Sequence, residues 1–251
     1  MTKDAKLLLK SSFKISLDEA AYLILSFLRE PNLNNLAVNE AIGGTVSKGA
    51  IKNEAGFLYL GTMGWFCRKD SNAGEFPKLF MAFEDGSYEI AKVPEEPVSA
   101  TLKCPASTFT YKKGVNEEDV LWMLRNDSYP LEPDLDIPKS VMMNLTGKLP
   151  KDDHGVPYNK FACSFFENRG ELNRDMHEFL DTPNLEAVRY YFGYDTSYSH
   201  ARSNRIRVIF VGVDASGKNI IPGGDITAVS AQIVQNSWPP PPPPNSIAKD
   251  K

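Results

Sequence analysis

The clearest pattern of apolar and polar positions predicts a helix near the start of the chain. Ser16 and Glu19 form an S-x-x-E capping box, in which each side chain satisfies a backbone N–H at the helix start. Pro31 ends the pattern, because proline disfavours helical backbone at the residue before it. Leu23 and Leu25 lie outside the main apolar stripe, so we expect burial on more than one side of the helix. The main stripe consists of Leu17, Ala20, Ala21, Ile24, Phe27 and Leu28.

Residues 50–110 follow a different pattern, with aromatic and β-branched runs separated by Gly and Pro, which is typical of strands. Asp85-Gly86 stands between two such runs and indicates a hairpin turn. We therefore predict an antiparallel sheet here. A short helix should follow, with Asn116 as its N-cap and the acidic residues 117–119 in its first turn. The residues expected to face inward are Val120, Leu121 and Leu124.

The C-terminal part predicts two helices and a hairpin. Residues 161–166 fit a strand, and residues 171–181 have the spacing of an amphipathic helix. Thr182-Pro183 has the composition of an N-cap followed by proline at the first helical position, which predicts a second short helix that ends at Gly193. The apolar residues of this second helix are Leu185, Val188, Tyr191 and Phe192. An apolar strand near residues 208–213 then leads into the hairpin.

These patterns together predict an α+β fold in two units, and they leave open whether the units share one core. Residues 1–128 form the N-terminal helix and antiparallel sheet, and residues 159–236 form a smaller helix-helix-hairpin unit. Prolines crowd residues 129–158 and resist regular structure, so we expect a connection there. Residues 237–251 form a disordered polyproline tail.

Composition and charge are typical of a globular protein and argue against a dedicated nucleic-acid binder. Apolar residues make up 42% of the 251 residues and charged residues 24%, and the net charge of −4 gives no overall basic footprint. The three cysteines are an odd number without a C-x-x-C pair, which favours separate reduced thiols. No secretory signal or membrane span is evident, so we expect a soluble, cytoplasmic protein.

A short stretch, Gly212 to Lys218, matches the G-x-x-x-x-G-K spacing of a phosphate-binding loop. It resembles the G-x-D-x-x-G-K loop of small GTPases, and that resemblance implies a nucleotide site at Gly212, Gly217 and Lys218. However, Asn219 stands where the motif needs Ser or Thr for magnesium, and Pro222 with two glycines cannot continue a helix. A strand and a turn explain the same residues, so we favour a hairpin.

Other groups of residues give weak signals of chemistry. Cys163 and His177 are candidates for the nucleophile and base of a hydrolase, with Asp195 or Asp214 as the orienting acid, although no family signature surrounds Cys163. The histidines, His154, His177 and His200, lack the short-spaced ligand pair of most zinc sites.

The alternating acids Glu132, Asp134 and Asp136 lack the central Gly and late Glu of a calcium loop, so we expect a solvated loop there. We predict no metal and no cofactor.

An aromatic and arginine cluster raises nucleic-acid binding as an alternative to a core role. Aromatic side chains can stack on bases while arginines neutralise phosphates. The net charge opposes this use, so we do not expect nucleic acid as a partner; the alternative is that Tyr191 and Phe192 lie in the core and the arginines edge a sheet. The cluster consists of Tyr190, Tyr191, Phe192, Tyr194, Tyr198, Arg202, Arg205 and Arg207.

The proline tail is the best candidate for function in the sequence. A polyproline II helix is already ordered, so docking in an aromatic groove costs little entropy; an inert spacer is the alternative. We predict a non-enzymatic interaction or accessory protein that binds another protein. The competing hypothesis is an enzyme, either the Cys/His hydrolase or the nucleotide binder. The expected binding residues are Trp238, Pro239, Pro240, Pro241, Pro242, Pro243 and Pro244.

Overall fold

The computed structural model describes residues 14–30, 41–51, 62–69, 78–84, 101–106, 108–111, 114–138, 163–166, 175, 178–195, 206–223 and 233–235. The helices with defined bounds are α1 (Leu17–Arg29), α2 (Lys48–Ile51) and α3 (Glu117–Asn126). The first six strands are β1 (Lys14–Ile15), β2 (Ala41–Ser47), β3 (Thr62–Lys69), β4 (Lys78–Glu84), β5 (Thr101–Cys104) and β6 (Thr108–Thr110). The others are β7 (Leu135–Pro138), β8 (Cys163–Phe166), β9 (Ala187–Tyr194), β10 (Ile206–Val213), β11 (Asn219–Ile220) and β12 (Ile233–Gln235).

Antiparallel pairing joins these strands into two sheets. In the described part of the chain, the larger sheet has the order β1-β12-β10-β9-β2-β6, with β11 also paired to β10. The smaller sheet has the order β7-β5-β4-β3-β8. The mixed α+β class is therefore confirmed, and so is the antiparallel sheet expected between residues 50 and 110 through the pairing of β3, β4 and β5. The Asp85-Gly86 turn lies outside the described residues.

Both sheets combine strands from the two predicted units. In the larger sheet β2 pairs with β9 and β1 pairs with β12, and in the smaller sheet β8 pairs with β3. One cluster contains most of the described buried apolar side chains and draws on both predicted units. Strand pairing therefore crosses the expected boundaries at residues 128 and 159, and the division into two units stays a prediction.

Helix α1 confirms the first prediction and covers the larger sheet. The Ser16 hydroxyl accepts a hydrogen bond from the backbone N–H of Glu19 at 3.1 Å, as an N-cap does. Leu23 and Leu25 are buried along with the main stripe, of which only Leu17 is partly buried, because α1 packs against β9 on one side and α3 on another. Phe27 contributes to the first contact, its ring centroid lying 5.6 Å from that of Phe192.

Helix α3 also begins where the sequence places it. Asn116 and Asp119 form a reciprocal capping box, in which each side chain accepts a hydrogen bond from the backbone N–H of the other. Val120 and Leu124 are fully buried, as predicted, and Met123 joins them. Leu121 is only partly buried against the same core.

The predicted second helix of the C-terminal part is wrong, because residues 187–194 form strand β9. The backbone turns at Asn184, which has a left-handed φ of 62°, and the Leu185 N–H donates to the Thr182 carbonyl. The strand that follows, AVRYYFGY, is rich in aromatic and β-branched residues and is buried along its whole length. Because the strand is buried on both faces, its sequence lacks the apolar-polar alternation of a half-exposed strand. Its apolar residues also fit a helical spacing by chance, and this spacing led to the wrong prediction.

Two further predictions about the C-terminal half can be compared with the structure. Residues 178–180 are helical, with Phe179 and Leu180 buried, which agrees with the end of the helix expected over 171–181. The proline-rich connection over 129–158 is not wholly irregular, because β7 pairs with β5 and Pro138 lies opposite Thr101. Strand β7 is at an edge of its sheet, where proline is tolerated since one side needs no donor.

Candidate functional site

Four buried polar side chains from three separate segments meet beside the larger sheet, and we call them the polar cluster. Arg189 and Tyr191 project from the same face of β9, Asp127 follows the last turn of α3, and Asn219 begins β11. All four are buried, Arg189 and Tyr191 completely. Because a buried charge is costly unless it is paired, the partners of these groups decide whether the cluster is a reactive site or a support.

The guanidinium of Arg189 donates hydrogen bonds to oxygens from every segment around it. Its Nε donates to Thr45 Oγ1 at 3.0 Å, its Nη1 to Asn219 Oδ1 at 2.5 Å and to the Asp127 carbonyl at 3.3 Å, and its Nη2 to the Gly217 carbonyl at 2.9 Å. The guanidinium carbon also lies 5.0 Å from the centre of the Tyr129 ring, within reach of a cation–π interaction. These contacts join β2, β9 and the loops before β7 and β11 around one cation.

The other three members close a chain of hydrogen bonds. The Tyr191 hydroxyl donates to Asp127 Oδ2 at 2.8 Å and accepts from Asn219 Nδ2 at 2.8 Å, and Nδ2 also donates to the Leu124 carbonyl at 2.9 Å. Burial raises the pKa of Tyr191 well above its usual value, so the phenol keeps its proton and can donate it. Burial also raises the pKa of Asp127, although the Tyr191 hydrogen bond and the Arg189 charge act in the opposite direction.

The polar cluster therefore supports the fold more readily than it offers a reacting group. Its donors and acceptors are engaged with one another, and Arg189 has no exposed surface with which to meet an anion. Sequence reasoning missed the cluster because Arg189 lay inside a wrongly predicted helix and Asn219 inside a loop motif. The available signal was a single arginine within the apolar run 187–194, which requires a buried partner.

The residues of the phosphate-loop match form a strand and a turn. Gly212 lies in β10, residues 214–217 turn, and Asn219 pairs back with Val213, so the geometry of the predicted hairpin is confirmed. Within the turn, Asp214 Oδ1 accepts from the backbone N–H groups of Ser216 at 2.8 Å and Lys218 at 3.0 Å. The N–H groups that a phosphate would need are thus bonded to a carboxylate, and a strand follows where a phosphate loop has a helix.

Gly217 fits this turn for two physical reasons. Its φ of +83° belongs to the left-handed region, and a Cβ built there would overlap the Tyr129 carbonyl oxygen and lie 2.8 Å from the carbonyl carbon. The close approach is fixed by hydrogen bonds in both directions across the two loops: the Tyr129 N–H donates to the Gly217 carbonyl and the Asn219 N–H to the Asp127 carbonyl. Gly217 matches a nucleotide-binding motif in the sequence, but in the structure it allows two loops to contact each other.

The candidate hydrolase residues are placed only in part. Cys163 starts the edge strand β8, and His177, like His154 and His200, lies outside the described residues. Cys104 is buried in β5, where desolvation raises the pKa of its thiol to about 12, so it is a poor nucleophile. Among the described residues, no three His, Cys, Asp or Glu side chains lie together as metal ligands.

Two of the alternating acids bind neighbouring protein groups. Asp134 accepts hydrogen bonds from the backbone N–H of Ser47 at 3.0 Å and from its hydroxyl at 2.5 Å, which ties the loop before β7 to the end of β2. Asp136 forms an exposed ion pair with Lys103 at 2.5 Å across β7 and β5. Asp134 thus ties its loop to β2, whereas Glu132 and Asp136 are exposed, as expected for a solvated segment, although Asp136 lies in β7.

The aromatic and arginine cluster is divided between the core and residues outside the described ranges. Its aromatic members in β9 are buried, and the Tyr190 hydroxyl accepts from the Met81 N–H at 3.1 Å, linking the two sheets. Arg207 is buried in the central strand β10, 3.5 Å from Asp195. Tyr198, Arg202 and Arg205 lie outside the described residues, as does the proline segment 238–244.

The largest apolar side chains at the described surface lie on α1, on α3 and on the segment after α3. Trp122 of α3 is 64% exposed, the highest fraction among them. The others, each from 38% to 51% exposed, are Tyr22, Leu131 and Leu135.

No protein-family profile, curated protein or solved structure matches the chain. No helix in the described part of the chain has the length and apolar character needed to cross a membrane.

Proposed function

We propose that the protein is a non-enzymatic interaction or accessory protein that binds another protein through exposed aromatic surface. The observation that carries this proposal is the contrast between the two sides of α3. Val120, Met123 and Leu124 are at most 1% exposed, whereas Trp122 between them is 64% exposed. Tryptophan is enriched at the energetic centres of protein interfaces, so a surface tryptophan is a natural anchor for a partner.

The energy available at Trp122 is enough to matter for binding. Covering the exposed part of a tryptophan side chain is worth on the order of 3 kcal/mol at ~25 cal/mol per Å² of apolar area. That gain corresponds to roughly a hundredfold in affinity. The polar cluster also supports this proposal. Its hydrogen-bonding groups are bonded to other protein groups and therefore stabilise the fold.

The C-terminal segment 238–244 belongs to the same proposal as a second contact. A run of six prolines after Trp238 has the sequence of a polyproline II ligand, which docks in aromatic grooves of other proteins. We propose that it adds affinity for the same partner or reaches a second one.

Affinity capture from a lysate of the source organism tests this function. The full chain is compared with Trp122→Ala, with deletion of residues 236–251, and with Glu186→Gln, an exposed residue outside α3 and the tail. We expect a specific retained protein to be lost with Trp122→Ala or with the deletion and kept with Glu186→Gln. The two altered proteins should melt within about 2 °C of the parent, since neither removes a described core contact.

A retained protein that survives both changes would contradict the proposed contacts. So would a melting temperature that drops sharply for Trp122→Ala, because the loss of binding would then reflect unfolding.

A further inference from the structure

We draw no further inference here: the strongest candidate, the exposed outer face of α3 on which Trp122 lies between Glu118 and Arg125, carries charges of both signs, and nothing in the described part of the chain shows what covers it.

Discussion

Two regions beside α3 each contain side chains whose burial is unusual for their polarity. On the inner side lie Asp127 and its partners Arg189, Tyr191 and Asn219, all buried. On the outer side lies Trp122, 64% exposed. The inner polar groups are explained by their hydrogen bonds, which link members of the cluster to one another, to backbone carbonyls and to the Thr45 hydroxyl. Among the described residues the exposed Trp122 side chain joins no such network, and we propose that it contacts a partner.

This difference helps to separate side chains that support the fold from side chains that are available to a partner. A buried charge with its hydrogen bonds satisfied is evidence for structure, because removing one partner leaves the others unpaired. An exposed aromatic side chain costs the fold little when it is removed. Changes on the two sides of α3 should therefore have very different effects on stability.

Replacing Arg189, on the inner side, should cause the largest loss of stability. Arg189→Met keeps a long apolar stem but leaves the Gly217 carbonyl, Asn219 Oδ1 and Thr45 Oγ1 without their donor. We expect the free energy of unfolding to fall by about 3–5 kcal/mol, as for other buried networks that lose one charged member. Urea unfolding followed by circular dichroism measures it. Arg125→Met, an exposed arginine on α3, should change stability by less than about 0.5 kcal/mol. Equal losses in the two variants would show that the cluster gives no special support.

Disrupting the contact between the turn at Gly217 and Tyr129 should cause the next largest loss of stability. Gly217→Ala places a Cβ on the Tyr129 carbonyl in addition to a strained φ of +83°. Gly114 has a similar φ of +86° with nothing within 4 Å of its Cβ, so Gly114→Ala reports the conformational strain alone. We expect losses of about 1–2 kcal/mol for Gly114→Ala and at least ~1 kcal/mol more for Gly217→Ala. The difference between the two measures the contact between the loops, and similar losses would argue against it.

Local signals predicted the elements that local interactions determine. Ser16 and Asn116 cap α1 and α3 through hydrogen bonds three residues away, and Asp214 organises its turn within four residues. Such contacts depend on short stretches of chain, so a short stretch of sequence is enough to predict them. The hairpin after β10 belongs to the same class.

Long-range pairing decided the elements that sequence reasoning missed. Strand β9 is covered on both sides by segments far away in the chain, and its apolar positions fitted a helical spacing by chance. Pairing with β5 gives β7 its structure despite its prolines. The polar cluster depends on contacts such as Tyr191 with Asp127, which are 64 residues apart, so no local motif reveals it.

Asp127 of the polar cluster and Asp214 of the turn after β10 should make the free energy of unfolding depend on pH in opposite directions. Burial raises the pKa of Asp127 above 3.8, so the folded protein holds its proton more tightly than the unfolded chain. The stabilisation from that proton is present below the ordinary pKa and is lost as pH rises through the raised one. For Asp214, burial alone would raise the pKa, but hydrogen bonds from Ser216 and from the Lys218 N–H outweigh it and hold the pKa below 3.8. Its contribution is present above the ordinary pKa and is lost as pH falls through the lowered one.

Urea unfolding of Asp127→Asn and Asp214→Asn at a series of pH values from about 3 to 7 separates these two effects. As pH rises, the stability of Asp127→Asn relative to the parent should increase and that of Asp214→Asn should decrease. Parallel pH profiles for the two variants would contradict the assigned shifts.

Replacing Trp122 should have the smallest effect, and its neighbour Met123 provides the matched comparison. The two residues are adjacent in α3, but Trp122 is 64% exposed and Met123 is 1% exposed. Met123→Ala opens a cavity in the core and should lower the free energy of unfolding by about 2–5 kcal/mol. Trp122→Ala removes mostly solvent-exposed surface and replaces it with the best helix former, so the change should stay within about 0.5 kcal/mol. A loss for Trp122→Ala close to that of Met123→Ala would mean that the indole supports the fold. In that case Trp122 would belong with the polar cluster, and α3 would no longer present a face for a partner.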